Sequence, residues 1–269
     1  MRIVSWNVNS IKARMPRLLT WLAERQPDVV LMQETKSTDA DWPADQLSAL
    51  GYRSAHLGSG RWNGVAILSR LGLDDVTYGL TDQPTFDEVT EPRALGATID
   101  GVRLWSLYVP NGRGLTEPHY AYKLGFLQTL RTQVASELAS LGPDHPYGLL
   151  GDFNIAPHDV DVWDIAAFEG RTHVSSQERQ ALAALQSPSG QPVLADLQPR
   201  ASAAPDDSRP PYTFWEMRQL GFQKGRGMRI DLVLANGALA GRATDVWVDR
   251  DTRKGQGPSD HAPLVLDLA

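Results

Sequence analysis

PHYAYKLGFLQTLRTQVASELASL at residues 118–141, followed closely by YGLLGDFNIAP at 147–157, decides the fold class. In the first stretch Leu124, Leu127, Leu130, Val134, Leu138 and Leu141 recur every three or four residues, the period of one helical face. The second opens with an apolar run of strand character and then delivers Asp152 and Asn154. Working outward, further strand-like runs are IVSW, DVVLMQ, GVAILS, VRLWSLYV, RIDLVLA, ATDVWV and PLVLDL. Helical patterning returns over residues 13–25 and in SSQERQALAAL, where Ser175 and Glu178 have the spacing of a capping box. The expectation is a mixed α/β chain forming a single domain over 1–269. QPRASAAPDDSRPP, at 198–211, is poor in large apolar residues and reads as a surface loop within that domain.

At 269 residues the core is large enough to need no staples. There is no cysteine, which excludes disulfides, thiolate nucleophiles and Cys-ligated zinc. MRIVSWNVNSIKAR is interrupted by polar residues and does not read as a signal peptide, and no run of about 18 apolar residues offers a membrane span. A cytoplasmic protein is expected. The formal net charge of −6 argues mildly against a polyanionic partner, but its distribution is uneven. Leu71 to Pro92 holds no Lys or Arg, whereas Lys12, Arg14 and Arg17 crowd one segment, Lys224, Arg226 and Arg229 another, and Arg250, Arg253 and Lys254 a third.

Several apolar runs end in polar groups able to do chemistry. VSWNVNS delivers Asn7 and Asn9, VVLMQETK delivers Glu34, WSLYVPNG delivers Tyr108 and Asn111, and MRIDLVL carries Asp231. Strand ends gathered at one sheet edge would bring these together. Taken singly, an Asn or Asp after a strand is an ordinary turn residue. Glu34 follows its apolar run directly, where an ionised carboxylate needs a compensating partner. That partner is either a cation held by the site or an ion pair with Lys36 or an arginine. Oxygen ligands of this kind suit Mg²⁺, and Glu34 with the Asn7 region fits. Zinc fits badly, because the six His stand apart at 56, 119, 145, 158, 173 and 261. In SDHAP, His261 needs a carboxylate to fix its tautomer, and Asp231 is the candidate, leaving Asp260 to face the metal. The bland alternative is a histidine satisfied at a loop edge.

The ordered set WNVNS, QETK, NGVAILS, YVPNG, GDFNIAP, YTFW, RIDLVL and SDHAP resembles the exonuclease III family of Mg²⁺-dependent DNA-repair nucleases over nearly the whole chain. The resemblance implies a DNase I-like, four-layer α/β/β/α sandwich: two packed mixed β-sheets flanked by helices, with the site at one edge. It implies that Glu34 is the principal metal ligand, with Asn7 and Asp260 near the cation and Asp152 and Asn154 adjoining it. Asp152 orients or deprotonates the attacking water, Asn154, Asn111 and Tyr108 meet the phosphate, and His261 with Asp231 holds or protonates a phosphate oxygen. Phe214, Met228 and Ile230 occupy positions of an apolar pocket for a flipped-out sugar, beside Trp215. Asn9, Lys12, Arg14, Arg253 and Lys254 are the remaining candidate DNA contacts. Some relatives place Asp at Asn9 and Trp at Met228. The implied reaction is Mg²⁺- or Mn²⁺-dependent hydrolysis of double-stranded DNA 5′ to abasic sites, with trimming of 3′ ends, by a monomer at the nucleoid. A phosphoinositide phosphatase-like hydrolase and a non-catalytic DNA-binding scaffold are the alternatives.

Overall fold

The computed structural model describes residues 1–200 and 211–269. Most of the 198–211 segment expected to form a surface loop lies outside the described residues. One six-stranded sheet is built from β1 (Arg2–Asn7), β2 (Val29–Gln33), β3 (Arg53–Leu57), β4 (Val65–Ser69), β13 (Ala243–Val248) and β14 (Leu264–Leu268), in the order β13-β14-β1-β2-β4-β3. The other contains β5 (Asp74–Tyr78), β6 (Ala94–Ile99), β7 (Val102–Tyr108), β8 (Tyr147–Asp152), β9 (Ala195–Asp196) and β12 (Asp231–Ala235), in the order β5-β6-β7-β8-β12-β9. A two-stranded ribbon, β10 (Phe214–Trp215) with β11 (Gly227–Met228), stands apart from both. Each large sheet has one parallel pair, β1 with β2 and β7 with β8, and is otherwise antiparallel.

Alternation along the strands creates the layers. Ile3, Val29, Leu31, Val65 and Ile67 face the opposite sheet and meet Leu95, Leu104, Leu150 and Val233 in one buried cluster. Their sequence neighbours Val4, Val30, Met32, Ala66 and Leu68 point the other way, onto α1 (Ile11–Arg25) through Leu18, Trp21 and Leu22. Trp105, Leu149, Leu232 and Leu234 likewise meet α3 (Pro118–Leu141) and α4 (Ser176–Gln186). Strands buried on both faces read as continuous apolar runs, which is why β2, β4 and β8 were visible in the sequence. Two short helices, α2 (Ala44–Ser48) and α5 (Gly237–Ala240), complete the set.

The helix expected at 118–141 forms over that span, and the Ser175–Glu178 capping box is present at the start of α4. The expected stripe on α3 holds only in its middle. Leu127, Leu130 and Val134 are buried with Phe126, whereas Leu141 is 38% exposed. A 24-residue helix is about 36 Å long and β8, of six residues, about 20 Å, so the last turn overruns the sheet. At its other end α3 buries a lysine, Lys123.

Candidate active site

The topology gathers the polar strand ends at one edge of the sandwich. β1 and β2 run parallel and release Asn7 and then Glu34 at their C-terminal ends, and β7 and β8 do the same with Tyr108 and Asp152. β12 and β14 are antiparallel to these neighbours, so it is their N-terminal ends, with Asp231 and the 259–261 segment, that arrive at that edge. Asp231 lies directly opposite Asp152 in the β8–β12 register.

Side-chain contacts join these groups. Asn7 Nδ2 donates to Glu34 Oε1 at 2.9 Å and to Asp152 Oδ2 at 3.0 Å, fixing a carboxylate from each sheet. Asp152 Oδ1 accepts the Asn154 backbone N–H at 2.9 Å. His261 Nδ1 donates to Asp231 Oδ2 at 2.8 Å, and Nε2 faces Asp152 Oδ2 at 3.6 Å. The segment before His261 is held by Ser259, whose hydroxyl donates to the Asn7 carbonyl at 2.7 Å and accepts the His261 N–H at 3.2 Å. The Asn154 amide is oriented by donation of Nδ2 to the Val109 carbonyl at 2.9 Å and by acceptance at Oδ1 from Asn111 Nδ2 at 3.2 Å.

Burial and crowded carboxylates set the charge states. Asp152 is pushed up to about 7 because burial disfavours its anion and Asp231 and Glu34 repel it, against the pull of His261. Burial works to lower His261, but Asp231 and Asp152 outweigh it and raise the ring to about 10. The two carboxylates thus favour the imidazolium form of the ring. Burial, then the neighbouring Glu34 carboxylate, drive the Tyr108 phenol well above its ordinary range, and the Arg93 guanidinium sits 4.8 Å over the Tyr108 ring.

Donor atoms of Glu34, Asp152 and His261 lie within 4.8 Å of one another, and two carboxylates converging there fit a hard divalent cation. The rest of the expected ligand set is arranged differently. The side-chain oxygen of Asn7 is turned to the Asn9 N–H at 3.0 Å, so Asn7 meets the carboxylates through its nitrogen. Asp260 is reached through Asn9, whose Nδ2 donates to Asp260 Oδ1 at 3.0 Å. Lys36 bridges the two halves, 2.6 Å from Asn9 Oδ1 and 2.9 Å from Glu34 Oε2. Both sequence readings of Glu34 are thus present: it pairs with Lys36 and belongs to the carboxylate cluster.

The expected substrate residues divide. Phe214, half-buried, packs its ring 4.9 Å from that of His261. With Met228, Ile230, Val162 and Phe168 it forms an apolar cluster at a cavity of about 380 Å³. Lys12 and Arg14 sit in the first turn of α1, Lys12 exposed and Arg14 half-buried. Trp215 and Arg253, also expected among the DNA contacts, are buried in the structure. Trp215 is 2% and Arg253 6% exposed, and the guanidinium donates to the carbonyls of Ser259 and Trp215. Arg253 holds the 259–261 segment from beneath. Lys254 is exposed and paired with Asp251 at 2.6 Å. Within the other basic clusters, Arg229 is fully buried between Asp161 and Asp196, and Arg17 donates to the carbonyls of Thr252, Lys254 and Gln256. One residue at the site had no signal in the sequence: His173, in a loop, whose Nε2 reaches Asn154 Oδ1 at 3.0 Å.

This geometry has counterparts. The sequence model of the Endonuclease/Exonuclease/phosphatase family matches residues 4–261. The chain belongs to that family. Exodeoxyribonuclease III of Haemophilus influenzae is 28% identical, over 100% of both chains. Among solved structures, the 3′ phosphatase NExo from Neisseria bound to a product DNA hairpin superposes with a TM-score of 0.91 at 35% identity, covering 100% of this chain and 99% of that one. An AP endonuclease from Archaeoglobus fulgidus does so with a TM-score of 0.86 at 29% identity, again over 100% and 99%. The protein is an exonuclease III-type member of the family with a DNase I-like fold, a DNA-repair nuclease that hydrolyses phosphoesters. Among the described residues, no helix is long and apolar enough to cross a membrane.

Proposed function

We propose that the protein hydrolyses phosphoesters at the 3′ ends of double-stranded DNA, removing nucleotides or terminal phosphate, and that incision 5′ to an abasic site is a second reaction of the same centre. The carrying observation is the arrangement of Asp152, His261 and Glu34 around one small space: a carboxylate able to take a proton from water, an imidazole held by Asp231, and a carboxylate able to hold a cation. Asp152 orients the attacking water, and His261, held by Asp231, donates to a phosphoryl oxygen. Asn154, Asn111 and Tyr108 hold the remaining oxygens. Glu34 and Asp152 would hold Mg²⁺ or Mn²⁺, with Asn7 and Asp260 fixing the surroundings. When bound, the cation neutralises the phosphate and stabilises the departing oxygen.

The order of the two reactions is supported by the relatives: NExo, a 3′ phosphatase, is 35% identical, and the AP endonuclease 29%. The apolar cluster of Phe214, Met228 and Ile230 beside His261 supports the second reaction, because a baseless sugar enters such a pocket with less unstacking than an intact nucleotide. We place the protein in the cytoplasm, at the nucleoid, as a monomer of one domain. The test is a comparison of three duplexes, bearing a 3′-phosphate, a recessed 3′-hydroxyl and a central abasic analogue, each with Mg²⁺, Mn²⁺ or EDTA. Faster cleavage at both 3′ ends, abolished by EDTA, is expected. A rate highest at the abasic duplex reverses the order, and phosphate release in EDTA removes the cation.

A further inference from the structure

Beneath the site lies a charged pair that the chemistry above does not use. Lys123 on α3 and Glu178 on α4 are both 0% exposed, and the Lys123 ammonium donates to Glu178 Oε1. A buried ion pair adds little stability over apolar side chains of the same volume, so its presence asks for another reason. The remaining bonds supply one. Lys123 Nζ also donates to the Asn154 carbonyl at 2.7 Å and to the Asn111 carbonyl at 3.3 Å, so its three N–H groups meet three acceptors. Glu178 extends the tie: Oε1 accepts the His173 N–H at 2.9 Å, and Oε2 accepts the Ser175 N–H at 3.1 Å and hydroxyl at 2.7 Å. One ion pair thus clamps the three segments that carry Asn111, Asn154 and His173.

On the side toward the substrate the same three residues converge again. Asn111 Nδ2 and His173 Nε2 both reach Asn154 Oδ1, at 3.2 and 3.0 Å. Asn154 itself has left-handed backbone, φ 51°, a conformation that needs support in a residue with a Cβ. With Oδ1 occupied and one N–H of Nδ2 given to Val109, the other N–H is left for a phosphoryl oxygen. We propose that Lys123, acting with Glu178, is a positioning residue: it fixes the carbonyls of Asn111 and Asn154 and thereby sets the angle at which their amides meet the scissile phosphate. The proposal rests on the phosphoester-hydrolase reading of the site; an inactive parent protein would sink that reading, whereas the comparison of variants with the parent tests the positioning.

Lys123→Met alone strands a buried carboxylate and Glu178→Met alone a buried ammonium, and each lowers Tm. The double variant Lys123→Met/Glu178→Met removes both charges and is expected to melt above either single one. Its kcat on a 3′-phosphate duplex should fall on the order of 100-fold while KM stays within about threefold, since misplaced groups weaken the chemical step more than binding. A double variant with recovered Tm and parental kcat would overturn the proposal. The parent protein gives a second measurement that does not depend on any variant folding. Nitrogen-labelled lysine should show one slowly exchanging ammonium signal, assigned to Lys123, that moves when duplex DNA is added in EDTA. A signal lost to fast exchange, or unmoved by DNA, contradicts the clamp.

Discussion

His261 Nδ1 lies 2.8 Å from Asp231 Oδ2, while Nε2 of the same ring faces Asp152 Oδ2 at 3.6 Å. One imidazole thus joins two carboxylates of adjacent strands, one fixing its orientation and the other sharing its reaction space. Asp231→Asn removes the charge that keeps the ring protonated and oriented. It should lower kcat by roughly 10² to 10⁴ with duplex binding retained. Unchanged turnover in a folded variant would detach Asp231 from the chemistry.

Glu34→Gln keeps the shape of the side chain and its contact distance to Asn7 but halves the carboxylate charge at the cluster. The Mg²⁺ concentration for half-maximal rate should rise by at least about tenfold, with Tm close to the parent value. Calorimetric titration with Mg²⁺ checks this without turnover. Parental metal affinity would place the cation elsewhere.

What the sequence made legible followed from burial. Strands covered on both faces, such as β2 and β8, left unbroken apolar runs, and the polar residue ending each run turned out to lie at the site. Strands without a run of large apolar residues went unread: β3 and β5 carry exposed or half-buried residues such as Arg53 and Asp74, and β6, though buried, is built largely of Ala94, Gly96, Ala97 and Thr98. The Asp231–His261 pair was readable, since a histidine beside a strand invites a carboxylate. His173 and the Lys123–Glu178 pair were not: they act through backbone carbonyls and loop geometry, which leave no periodicity. The burial of Arg253 was not legible either, because a basic cluster looks the same whether its members face solvent or, as here, lie over Phe222 with the guanidinium 5.2 Å from the ring.

That burial separates Arg253 from Lys254. Arg253→Ala leaves the Ser259 and Trp215 carbonyls short of a donor and should destabilise by roughly 2 kcal/mol. The salt dependence of duplex binding should not change. Lys254→Ala, at an exposed pair, should shift stability by less than about 0.5 kcal/mol and, if Lys254 meets a phosphate, flatten the log-log salt slope by about 0.9. Chemical denaturation and binding at several salt concentrations separate the two. A flattened slope with full stability in Arg253→Ala would return that side chain to the DNA surface.

His119 supplies a pH-linked test of the fold. It is 4% exposed, packed by Phe86 and Tyr122, and accepts the Gly112 N–H on Nδ1 at 3.1 Å, which requires a neutral ring. Burial first, then Arg93 and Arg113, hold it down at about 4, with Lys123 adding to them and Glu91 opposing. Between about 6.5 and 4 the unfolded chain therefore binds a proton that the folded chain refuses, so this residue's contribution is complete above 6.5 and shrinks as pH falls. The parent should lose more stability than His119→Gln between pH 7 and 4.5, read from urea midpoints at each pH. Parallel curves would contradict it.

The role of Asp152 is tested most directly by comparing the parent with Asp152→Asn on a duplex ending in a 3′-phosphate, with Mg²⁺, reading phosphate release in a single turnover and duplex affinity side by side. The Asp152 carboxylate touches both halves of the site, accepting from Asn7 and facing His261. Rapid phosphate release is expected from the parent, with a loss of at least about 10² in the variant and duplex affinity within about threefold of the parent. Phosphate release by Asp152→Asn at the parent's rate would contradict it.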